Sequence, residues 1–516
     1  MIKSMNVAWW VQRWAELNPA KTAIHYEHGQ VSYAELHARC EAVASWLQGV
    51  GIEKGDRVAV LLDNCLEFIE LYLACARLGA VFVPFNFRLA APEIHYLLGN
   101  CRPRLFVFKE TLTHKVAPLA LKNHQPPLLA AVVGQPVEGG EFLSYSLQVA
   151  ACAGQKPFLT SSLAPADPEE PQVIMYTSGT TGHPKGAVLT YQKSFFNSLN
   201  AGIFFQLAAD DVMLIILPLY HSGGLFIQAT PSLYQGATLL LHPRFDARLA
   251  CRDIARHGVT KFLGVPTVYR ALLALPAAQR SDLSSLKVCA IGGEQVTPEL
   301  LLECRQGGFT ARQIMGQTET SILLWASEEE SLQRPGSVGR PVFHAEVQLR
   351  GEDGRPVNQP GQVGEIVARG PVVMKEYWRD PARSERALKG GWLHTGDLAR
   401  RDQDGYYYLV GRFRDMYISG GENVYPAEVE RVLNNHPQVE ESAVVGEPHE
   451  TWGEAGHAFV IPRPGQEPSA EDIRDYCRQH LAAFKVPGRV TFCRQFPRTP
   501  LGKVRKFLLL EENRLA

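Results

Sequence analysis

The first part of the chain alternates strand and helix patterns, and this alternation restricts the fold more than any other feature of the sequence. Two segments with helical periodicity are each followed by a short apolar run typical of a buried strand: SYAELHARCEAVASWL at 32–47, DRVAVLL at 56–62, CLEFIELYLACARLG at 65–79 and AVFVPF at 80–85. Ser32 and Glu35 stand in capping-box spacing at the start of the first helix. Because strands separated by helices pair in parallel, the sequence predicts an α/β fold with a largely parallel sheet.

A chain of 516 residues is too long for a single core, so we expect at least two domains. From about Gly336 onward, short strands and glycine turns predict a β-rich section. Towards the end of the chain, helical patterns at 424–437 and 470–482 alternate with short strands. This part of the sequence predicts a separate, small α+β domain.

Charge and cysteine content exclude several classes of protein. The formal net charge is -1, whereas nucleic-acid-binding domains are usually basic. The ten cysteines are scattered without a CxxC pair, which indicates reduced thiols rather than a disulfide framework or a zinc site. The N-terminal segment lacks the apolar core of a signal peptide, and the run VMLIILPLY is too short to cross a bilayer. These features are typical of a cytoplasmic enzyme.

The segment MYTSGTTGHPKGAVLT, residues 175–190, has the composition of a loop that binds phosphate. It is not a P-loop of the G-x-x-x-x-G-K-[ST] type, because Pro184 and Gly186 stand where Gly and Ser or Thr are required. The flanking runs VIMY and AVLT predict a strand–loop–strand element. Its backbone amides and hydroxyls can surround an anion and Lys185 can add a charge, although a plain glycine-rich hairpin turn has the same composition.

The same segment is very similar to the phosphate-binding signature of the adenylate-forming superfamily, which contains acyl- and aryl-CoA synthetases, luciferases and peptide-synthetase adenylation domains. Further matches follow in the family's order: PLYHSGGL, GGE, MGQTET, LHTGDLA, YLVGRFRDMYISGGENVYPAEVE and PRTPLGKVRK. The resemblance covers nearly the whole chain. It implies a large N-terminal domain, residues 1–412, with the ATP and acyl sites, and a small mobile α+β C-terminal domain, residues 413–516.

In this family a carboxylate attacks the α-phosphate of ATP, which gives acyl-AMP and pyrophosphate, so the protein mainly positions anions and neutralises charge. The resemblance implies that the β- and γ-phosphates are held by Thr177, Ser178, Gly179, Thr180, Thr181, Gly182 and Lys185. Glu319 would bind Mg²⁺, which prefers oxygen ligands, and Thr318 would bond the α-phosphate. Taken alone, Glu319 would be interpreted as a solvated loop acid, and only the surrounding motifs favour the metal ligand.

The resemblance also assigns the nucleoside site and the C-terminal cation. Asp397 would accept from the ribose hydroxyls and Arg412 would add a donor, although Asp–Arg surface pairs are common structural features. Lys503 would bridge the substrate carboxylate and the α-phosphate during adenylation. The walls around adenine and substrate would be formed by Gly292, Gly293, Glu294, Gly316 and Gln317.

The second half-reaction transfers the acyl group to the thiol of CoA. In the family the C-terminal domain then rotates, which removes the lysine and brings in a glycine loop. Gly420 and Gly421 match that loop, since small residues let the pantetheine arm pass. Arg414 matches the hinge position, where relatives often carry Asp or Lys.

The resemblance places the acyl pocket at Tyr220, His221, Gly223, Gly292, Met315 and Gly316. His221 would be the aromatic gate near the acyl carboxylate, unless it is a buried histidine bonded to backbone. Ser222 stands where amino-acid-activating relatives carry Asp, which argues against an amino acid substrate. Acetate-specific relatives carry Trp in place of Gly316, so this glycine predicts room for a longer fatty acid or an aromatic acid. Phe226 and Ile227 could line the tunnel or belong to the core.

The predicted function is therefore that of an ATP-dependent acid–CoA ligase, an AMP-forming acyl-CoA synthetase that uses ATP, Mg²⁺ and CoA. Its acid would be a medium- or long-chain fatty acid or an aromatic acid. A ligase that loads a carrier protein and a luciferase-like oxidase are alternatives, although the chain ends in ENRLA rather than a peroxisomal SKL. A non-catalytic nucleotide- or acyl-binding regulator is the alternative of another class. We expect small-molecule partners, no nucleic acid and no transmembrane segment, and either a monomer or a homodimer.

Overall fold

A computed structural model describes residues 2–27, 29–119, 121, 128–135, 142–154, 167–177, 184–276, 282–293, 296–351, 353–412, 415–419, 422–449, 452–481, 483–498, 504–506 and 508–510. The chain forms two compact units. Unit 1 contains Met1–Val347 and Ala368–Leu393, and unit 2 contains Gln348–Val367 and His394–Ala516. No helix in these ranges combines the length and the hydropathy that a bilayer span requires.

The helices and strands alternate over much of the chain. In chain order the strands are β1 (Thr22–Tyr26), β2 (Gly29–Ser32), β3 (Arg57–Leu61), β4 (Val81–Pro84), β5 (Leu105–Lys109), β6 (Leu129–Val133), β7 (Leu143–Ser144), β8 (Pro171–Thr177), β9 (Lys185–Thr190), β10 (Val212–Ile215), β11 (Thr238–Leu241), β12 (Lys261–Gly264), β13 (Val288–Gly292), β14 (Ala311–Gln317), β15 (Ser321–Ala326), β16 (Ser337–Pro341), β17 (Glu346–Arg350), β18 (Val363–Arg369), β19 (Glu376–Tyr377), β20 (Leu393–Arg401), β21 (Tyr407–Arg412), β22 (Tyr417–Ser419), β23 (Glu422–Val424), β24 (Val439–His449), β25 (Gly453–Pro462) and β26 (Arg489–Phe492).

The α-helices are α1 (Val7–Leu17), α2 (Tyr33–Gly49), α3 (Leu66–Leu78), α4 (Ala91–Cys101), α5 (Thr113–Val116), α6 (Tyr145–Cys152), α7 (Tyr191–Phe205), α8 (Thr230–Gln235), α9 (Ala247–His257), α10 (Pro266–Leu273), α11 (Pro298–Gln306), α12 (Glu328–Gln333), α13 (Pro381–Ala387), α14 (Pro426–Asn434) and α15 (Ala470–His480). A π-helix, Gly223–Ala229, lies between β10 and α8.

The ends of α2 and α3 follow directly from the local sequence. The predicted capping box starts α2: Ser32 Oγ accepts from the Glu35 amide at 3.2 Å, and Glu35 Oε2 accepts from the Ser32 amide at 2.7 Å. Helix α3 ends at Gly79, whose φ of 76° lies in the left-handed region that favours glycine. Both predictions are confirmed.

Unit 1 contains strands of two sheets with long parallel runs; the parallel pairing is as predicted, whereas the division into two sheets is not part of the prediction. In the first, the strand order is β16–β15–β14–β13–β12–β10–β11–β1–β2, with parallel pairing from β14 to β1 and antiparallel pairing at both ends. In the second, the order is β19–β9–β8–β4–β3–β5–β6–β7, and β8, β9 and β19 pair antiparallel. The buried core lies between these sheets and the helices of α1 to α3, α7 and α8.

Unit 2 contains the predicted small α+β fold. Its strands β23, β22, β25 and β24 pair in that order, and β26 pairs in parallel with β25. Helices α14 and α15 bury Val429, Leu433, Ile473 and Cys477 in its core. Strands β17, β18, β20 and β21 also pair in that order and lie mostly in this unit.

Unit 2 starts at Gln348, so it includes segments that the predicted boundary after Arg412 assigns to the N-terminal domain. A boundary between compact units is not the same property as a hinge between moving domains. The division at 412/413 therefore stays a prediction.

Candidate active site

Several candidate residues lie where strands of the first sheet end. Strands β10, β12, β13 and β14 are parallel neighbours, so their carboxyl ends meet at one edge of the sheet. Gly292 ends β13, Gln317 ends β14, and the segment leading to His221 follows β10. In open α/β sheets this edge is the usual place for ligand binding.

The glycine-rich segment is the strand–loop–strand element that the sequence predicts. Strands β8 and β9 pair antiparallel, and Thr177 lies opposite Lys185 at the open end of the pair. The Thr177 hydroxyl oxygen is buried and has no hydrogen-bond partner among the described residues. An unpaired hydroxyl at the base of such a loop is available to an anion.

Lys185, Glu319 and Tyr377 form a cluster at this end of β9. Lys185 Nζ lies 2.8 Å from Glu319 Oε1 and also donates to the Tyr377 hydroxyl oxygen. The Tyr377 hydroxyl in turn donates to Glu319 Oε1 at 2.7 Å. The carboxylate is thus held by one cation and one phenol.

Strand pairing explains why these three side chains meet. Strand β19 pairs with β9, which places Tyr377 opposite Ala187, and the Met374 amide just before β19 donates to the Glu319 carbonyl at 2.7 Å. Tyr377 is 192 residues from Lys185 in sequence, and it is absent from the predicted site residues. No local pattern marks this tyrosine, because its role depends on the register between β19 and β9.

The cluster fixes the charge of Glu319. The side chain is buried, and burial alone would raise the pKa of Glu319, but the charge of Lys185 and the hydrogen bonds from Lys185 and Tyr377 hold the pKa below its ordinary value. Burial and the neighbouring carboxylate raise the pKa of Tyr377, so its hydroxyl stays a donor. The result is an ionised, buried carboxylate.

Glu319 lies in a tight hairpin between β14 and β15. Gln317 pairs with Ser321 across the turn, and the Gln317 amide donates to Thr320 Oγ1 at 3.2 Å. The ladder is irregular between Met315 and Gly316, where a Cβ on Gly316 would lie 1.7 Å from the Ser321 carbonyl oxygen. The backbone therefore requires glycine here, and this requirement is a second reason for Gly316 beside the predicted open pocket.

The segment that carries His221 is anchored to the same hairpin. His221 Nδ1 accepts from the Gly223 amide at 3.2 Å, and burial lowers the pKa of His221 to about 4, so the ring is neutral. Ser222 Oγ donates to Ser321 Oγ at 3.4 Å. A π-helix starts directly after this segment, a local structure that is frequent at functional sites.

The residues assigned to the acyl pocket are mostly buried. Tyr220 has a buried hydroxyl without a partner in the described ranges, and its ring meets Phe87 edge-on at 5.5 Å. Phe226 and Ile227 belong to the main core of unit 1. Met315 and Gly292 are also buried, whereas Gly316 is exposed.

In unit 2, Asp397 and Arg412 are direct neighbours across the β20–β21 ladder. Asp397 is buried, and the turn before it is fixed by two bonds, from Thr395 Oγ1 to the Ile366 carbonyl at 2.7 Å and from the Gly396 amide to Glu365 Oε1 at 2.9 Å. The structure thus brings these two predicted residues together. The Arg412 side chain is outside the described part of the chain.

The remaining predicted residues divide into two groups. Thr318, Gln317, Gly293 and Gly223 lie in unit 1 beside the residues described above. Outside the described residues are Ser178, Gly179, Thr180, Thr181, Gly182, Glu294, Arg414, Gly420, Gly421 and Lys503.

Two family models match the chain. The model described as "AMP-binding enzyme" matches residues 11–378, and the model described as "AMP-binding enzyme C-terminal domain" matches residues 428–503.

Curated relatives match over almost their full length. An indoleacetate–CoA ligase of Aromatoleum aromaticum is 38% identical over 97% of both chains. A feruloyl-CoA synthase of an Amycolatopsis species is 37% identical over 98% of both chains. A long-chain-fatty-acid–CoA ligase, FadD13, of Mycobacterium tuberculosis is 34% identical over 98% of both chains.

A solved structure, ATP-bound MatB from Rhodopseudomonas palustris, has a TM-score of 0.87 to this chain at 30% identity, over 98% of both chains.

Proposed function

The chain belongs to the AMP-binding enzyme family and is an AMP-forming acid–CoA ligase, and we propose that the cluster of Lys185, Glu319 and Tyr377 is the centre of its ATP site. The enzyme uses ATP to convert a carboxylic acid into acyl-AMP and then transfers the acyl group to CoA. The observation that carries the proposal is the buried, ionised Glu319 beside the glycine-rich loop. Buried ion pairs often contribute little to stability, and buried carboxylates with shifted pKa values are concentrated at functional sites.

The triphosphate would be bound by the loop and by Lys185. Thr177 offers a buried hydroxyl that lacks a partner in the described ranges, and Lys185 offers an ammonium held at the mouth of the loop. Backbone amides of 178–182 would complete the anion site. Loss of charge on Lys185 would then weaken ATP binding more than acid binding.

The donor set at Glu319 suits Mg²⁺, which AMP-forming CoA ligases use. Hard oxygen ligands are what this ion prefers, and one carboxylate is enough when the phosphates supply further oxygens. When bound, Mg²⁺ neutralises charge on the phosphate oxygens. Tyr377 would keep Glu319 in place while Lys185 turns to the phosphates.

In the adenylation step, the acid's carboxylate oxygen bonds to the α-phosphorus and pyrophosphate leaves. Thr318 lies one residue before Glu319 and would hydrogen-bond the α-phosphate, and Lys503 would bring the cation that offsets the developing charge. His221 is neutral, so it would orient the carboxylate by a hydrogen bond and exclude water rather than supply charge.

In the thioester step, the thiol of CoA attacks the acyl carbonyl and AMP leaves. Gly420 and Gly421 would line the path of the pantetheine arm, and Arg414 would be the hinge between residues 1–412 and 413–516. Asp397 and Arg412, paired across β20 and β21, would hold the ribose in both steps.

We further propose that the acid is aromatic. The two relatives with the higher identities are, by name, an indoleacetate and a feruloyl ligase, while the fatty-acid ligase is less similar. The edge-on contact of Tyr220 with Phe87 gives the segment beside His221 an aromatic surface, on which a ring would pack better than a flexible chain.

A carboxylate panel with detection of released pyrophosphate tests both proposals. The panel contains indole-3-acetate, ferulate, benzoate, hexanoate, palmitate and acetate, each assayed with ATP and Mg²⁺ and with or without CoA. We expect an arylacetic or arylpropenoic acid to give the highest kcat/KM and acetate the lowest. A fatty acid with a higher kcat/KM than every aromatic acid would refute the aromatic proposal. Absence of pyrophosphate release with all of the acids would refute the assigned ATP site.

We also place the enzyme in the cytoplasm. None of the ten cysteines, all of which the structure describes, is in a disulfide, and most are buried, which fits a reducing compartment. Fractionation of cells that produce the enzyme tests this placement, and recovery in an oxidising compartment would contradict it.

A further inference from the structure

Helix α7 carries a lysine whose side chain is completely buried. Lys193 is 0% exposed, and among the described residues the acceptor for its ammonium is Ser321 Oγ at 2.6 Å. The ammonium also lies 5.6 Å from the centre of the Phe226 ring. Lysines normally keep the ammonium in water, since its removal from solvent is costly unless hydrogen bonds and opposite charge replace the water.

A second buried lysine in unit 1 has the carboxylate partner that Lys193 lacks. Lys261 Nζ lies 3.4 Å from Asp211 Oδ2 and donates to the Gln206 carbonyl at 3.1 Å. Lys193 has no carboxylate within ion-pair distance among the described residues, although Glu319 is close enough to favour its charged form. The compensation at Lys193 is therefore incomplete.

The acceptor Ser321 occupies a special backbone position. Its φ is 59°, in the left-handed region that a non-glycine residue adopts at a cost. It follows the three-residue turn that contains Thr318 and Glu319, and hairpins of this kind usually place glycine at the left-handed position. Serine adds one thing that glycine lacks, a hydroxyl, and this hydroxyl accepts from both Lys193 and Ser222.

Lys193 is too deeply buried to contact a substrate directly. With no exposed surface, the lysine has no face that a water molecule can reach, so an acid or a phosphate cannot reach it either. Besides the effect of its charge on nearby Glu319, its contact with the site runs through Ser321.

On the basis of the proposed function, we propose that Lys193 is a positioning residue for adenylation: its ammonium holds Ser321 and thereby fixes the hairpin turn that presents Thr318 and Glu319. Through Ser222, the same contact also ties the segment of His221 to the turn. Glu319 would hold Mg²⁺ against the triphosphate in the first half-reaction only, whereas Thr318 would bond the α-phosphate in both. The precision of the turn therefore matters more for acyl-AMP formation than for acyl transfer to CoA.

To test this role, the rates of the two half-reactions are measured separately in the variants Lys193→Met and Ser321→Ala. Lys193→Met removes the donor at similar volume, and Ser321→Ala removes the acceptor while it keeps the Cβ. Lys261→Met is the matched control for loss of a buried lysine, because Lys261 lies at the start of β12 and pairs with Asp211 instead of the hairpin. Acyl-AMP formation is followed by pyrophosphate release, and acyl transfer is started from supplied acyl-AMP and CoA.

We expect each test variant to lower the rate of acyl-AMP formation about tenfold or more and to raise the KM for MgATP, which is the order of effect of one charge-assisted hydrogen bond. Acyl transfer should stay within about twofold of wild type, and the double variant should be no worse than either single one, because both remove the same contact. Lys261→Met should leave both half-reactions unchanged.

Three outcomes would each overturn the role of Lys193. The first is adenylation by Lys193→Met at the wild-type rate, and the second is an equal loss of both half-reactions. The third is a double variant in which the effects of the two substitutions multiply. These outcomes are distinct from failure of the proposed ATP site, which would appear as absent pyrophosphate release in the wild-type enzyme with every acid.

Discussion

Replacing Lys193 by methionine should raise the stability of the protein while it lowers the rate of adenylation. Burial lowers the pKa of Lys193 from 10.5 to about 7, with the charge of Glu319 opposing the shift. At pH 7 the lysine is protonated in nearly all unfolded chains, whereas the folded state binds this proton much less tightly. The buried lysine therefore costs about 4 kcal/mol of folding free energy, at about 1.4 kcal/mol for each unit of pKa. Methionine removes this cost.

Part of the gain is offset. The variant loses one hydrogen bond to Ser321 and a little packing, together about 1 to 2 kcal/mol. The net increase in the free energy of unfolding is then about 2 to 3 kcal/mol. For a unit of about 370 residues, with an unfolding entropy of roughly 0.8 kcal/mol/K, this increase corresponds to a rise in Tm of about 3 °C.

The pH dependence has a definite sign. The folded-state pKa of Lys193 lies below its unfolded value, so the cost is fully present below about pH 7 and disappears as the pH rises towards 10.5. At pH 9.5 the cost falls to about 1.5 kcal/mol, and Lys193→Met should then equal wild type in stability. Urea unfolding at pH 7.0 and 9.5, followed by near-UV circular dichroism, measures both values.

Lys261→Met is the control that should move stability the other way. Its ammonium lies 3.4 Å from Asp211 Oδ2, and both side chains are buried, so removal of the lysine leaves the carboxylate with only the exposed Lys287, 3.7 Å from Oδ1, as an ion-pair partner among the described residues. Loss of one charge-assisted partner of a buried carboxylate typically destabilises by about 1 to 3 kcal/mol. The reasoning would be refuted if Lys193→Met lowered the stability at pH 7 as Lys261→Met does, because the buried ammonium would then be a net structural contact.

Four further outcomes follow from the site. Tyr377→Phe removes one hydrogen bond from the carboxylate of the ATP site and should raise the KM for MgATP about fivefold, with acyl transfer to CoA unchanged; an unchanged KM would exclude the tyrosine from the site. Lys503→Ala should abolish pyrophosphate release yet spare thioester formation from supplied acyl-AMP, and equal loss in both assays would contradict the two-pose scheme. Gly316→Ala should lower stability and the activity towards all acids alike, because its Cβ meets the Ser321 carbonyl, whereas loss confined to bulky acids would favour the pocket explanation. The pH–rate profile of adenylation should show no inflection from His221 between about pH 6 and 9, since its pKa is about 4, and a group titrating there that is lost in His221→Asn would disprove its neutral state.

The local features of the fold could be predicted from the sequence, because they depend on a few neighbouring residues. The capping box of Ser32 and Glu35 and the left-handed end of α3 at Gly79 are set within one helical turn. The strand–loop–strand element around the glycine-rich segment follows from apolar runs on either side. The long sequence motifs likewise identify most residues of the candidate site, and the roles of these residues stay predictions.

Tyr377 and Lys193 could not be predicted, for different physical reasons. Tyr377 reaches the site through the pairing of β19 with β9, and the register between distant strands is decided by the whole fold. Lys193 stands in a helix among apolar and polar neighbours, where a lysine normally indicates the solvent face. Its burial contradicts the local pattern, and such conflicts are expected at functional positions.

The buried charges of unit 1 separate into two kinds by how completely they are compensated. At Glu319 a cation and a phenol lie within hydrogen-bond distance, so the carboxylate is stable in the ligand-free fold and available to a metal. At Lys193 the hydrogen-bond acceptor among the described residues is one hydroxyl, on a residue whose own backbone is unfavourable, and Glu319 favours the charge from beyond ion-pair distance. The burial of Lys193 and the backbone of Ser321 each cost folding free energy, and such costs are expected where function requires them. Here both residues hold the turn of Thr318 and Glu319, whose geometry would decide the rate of adenylation.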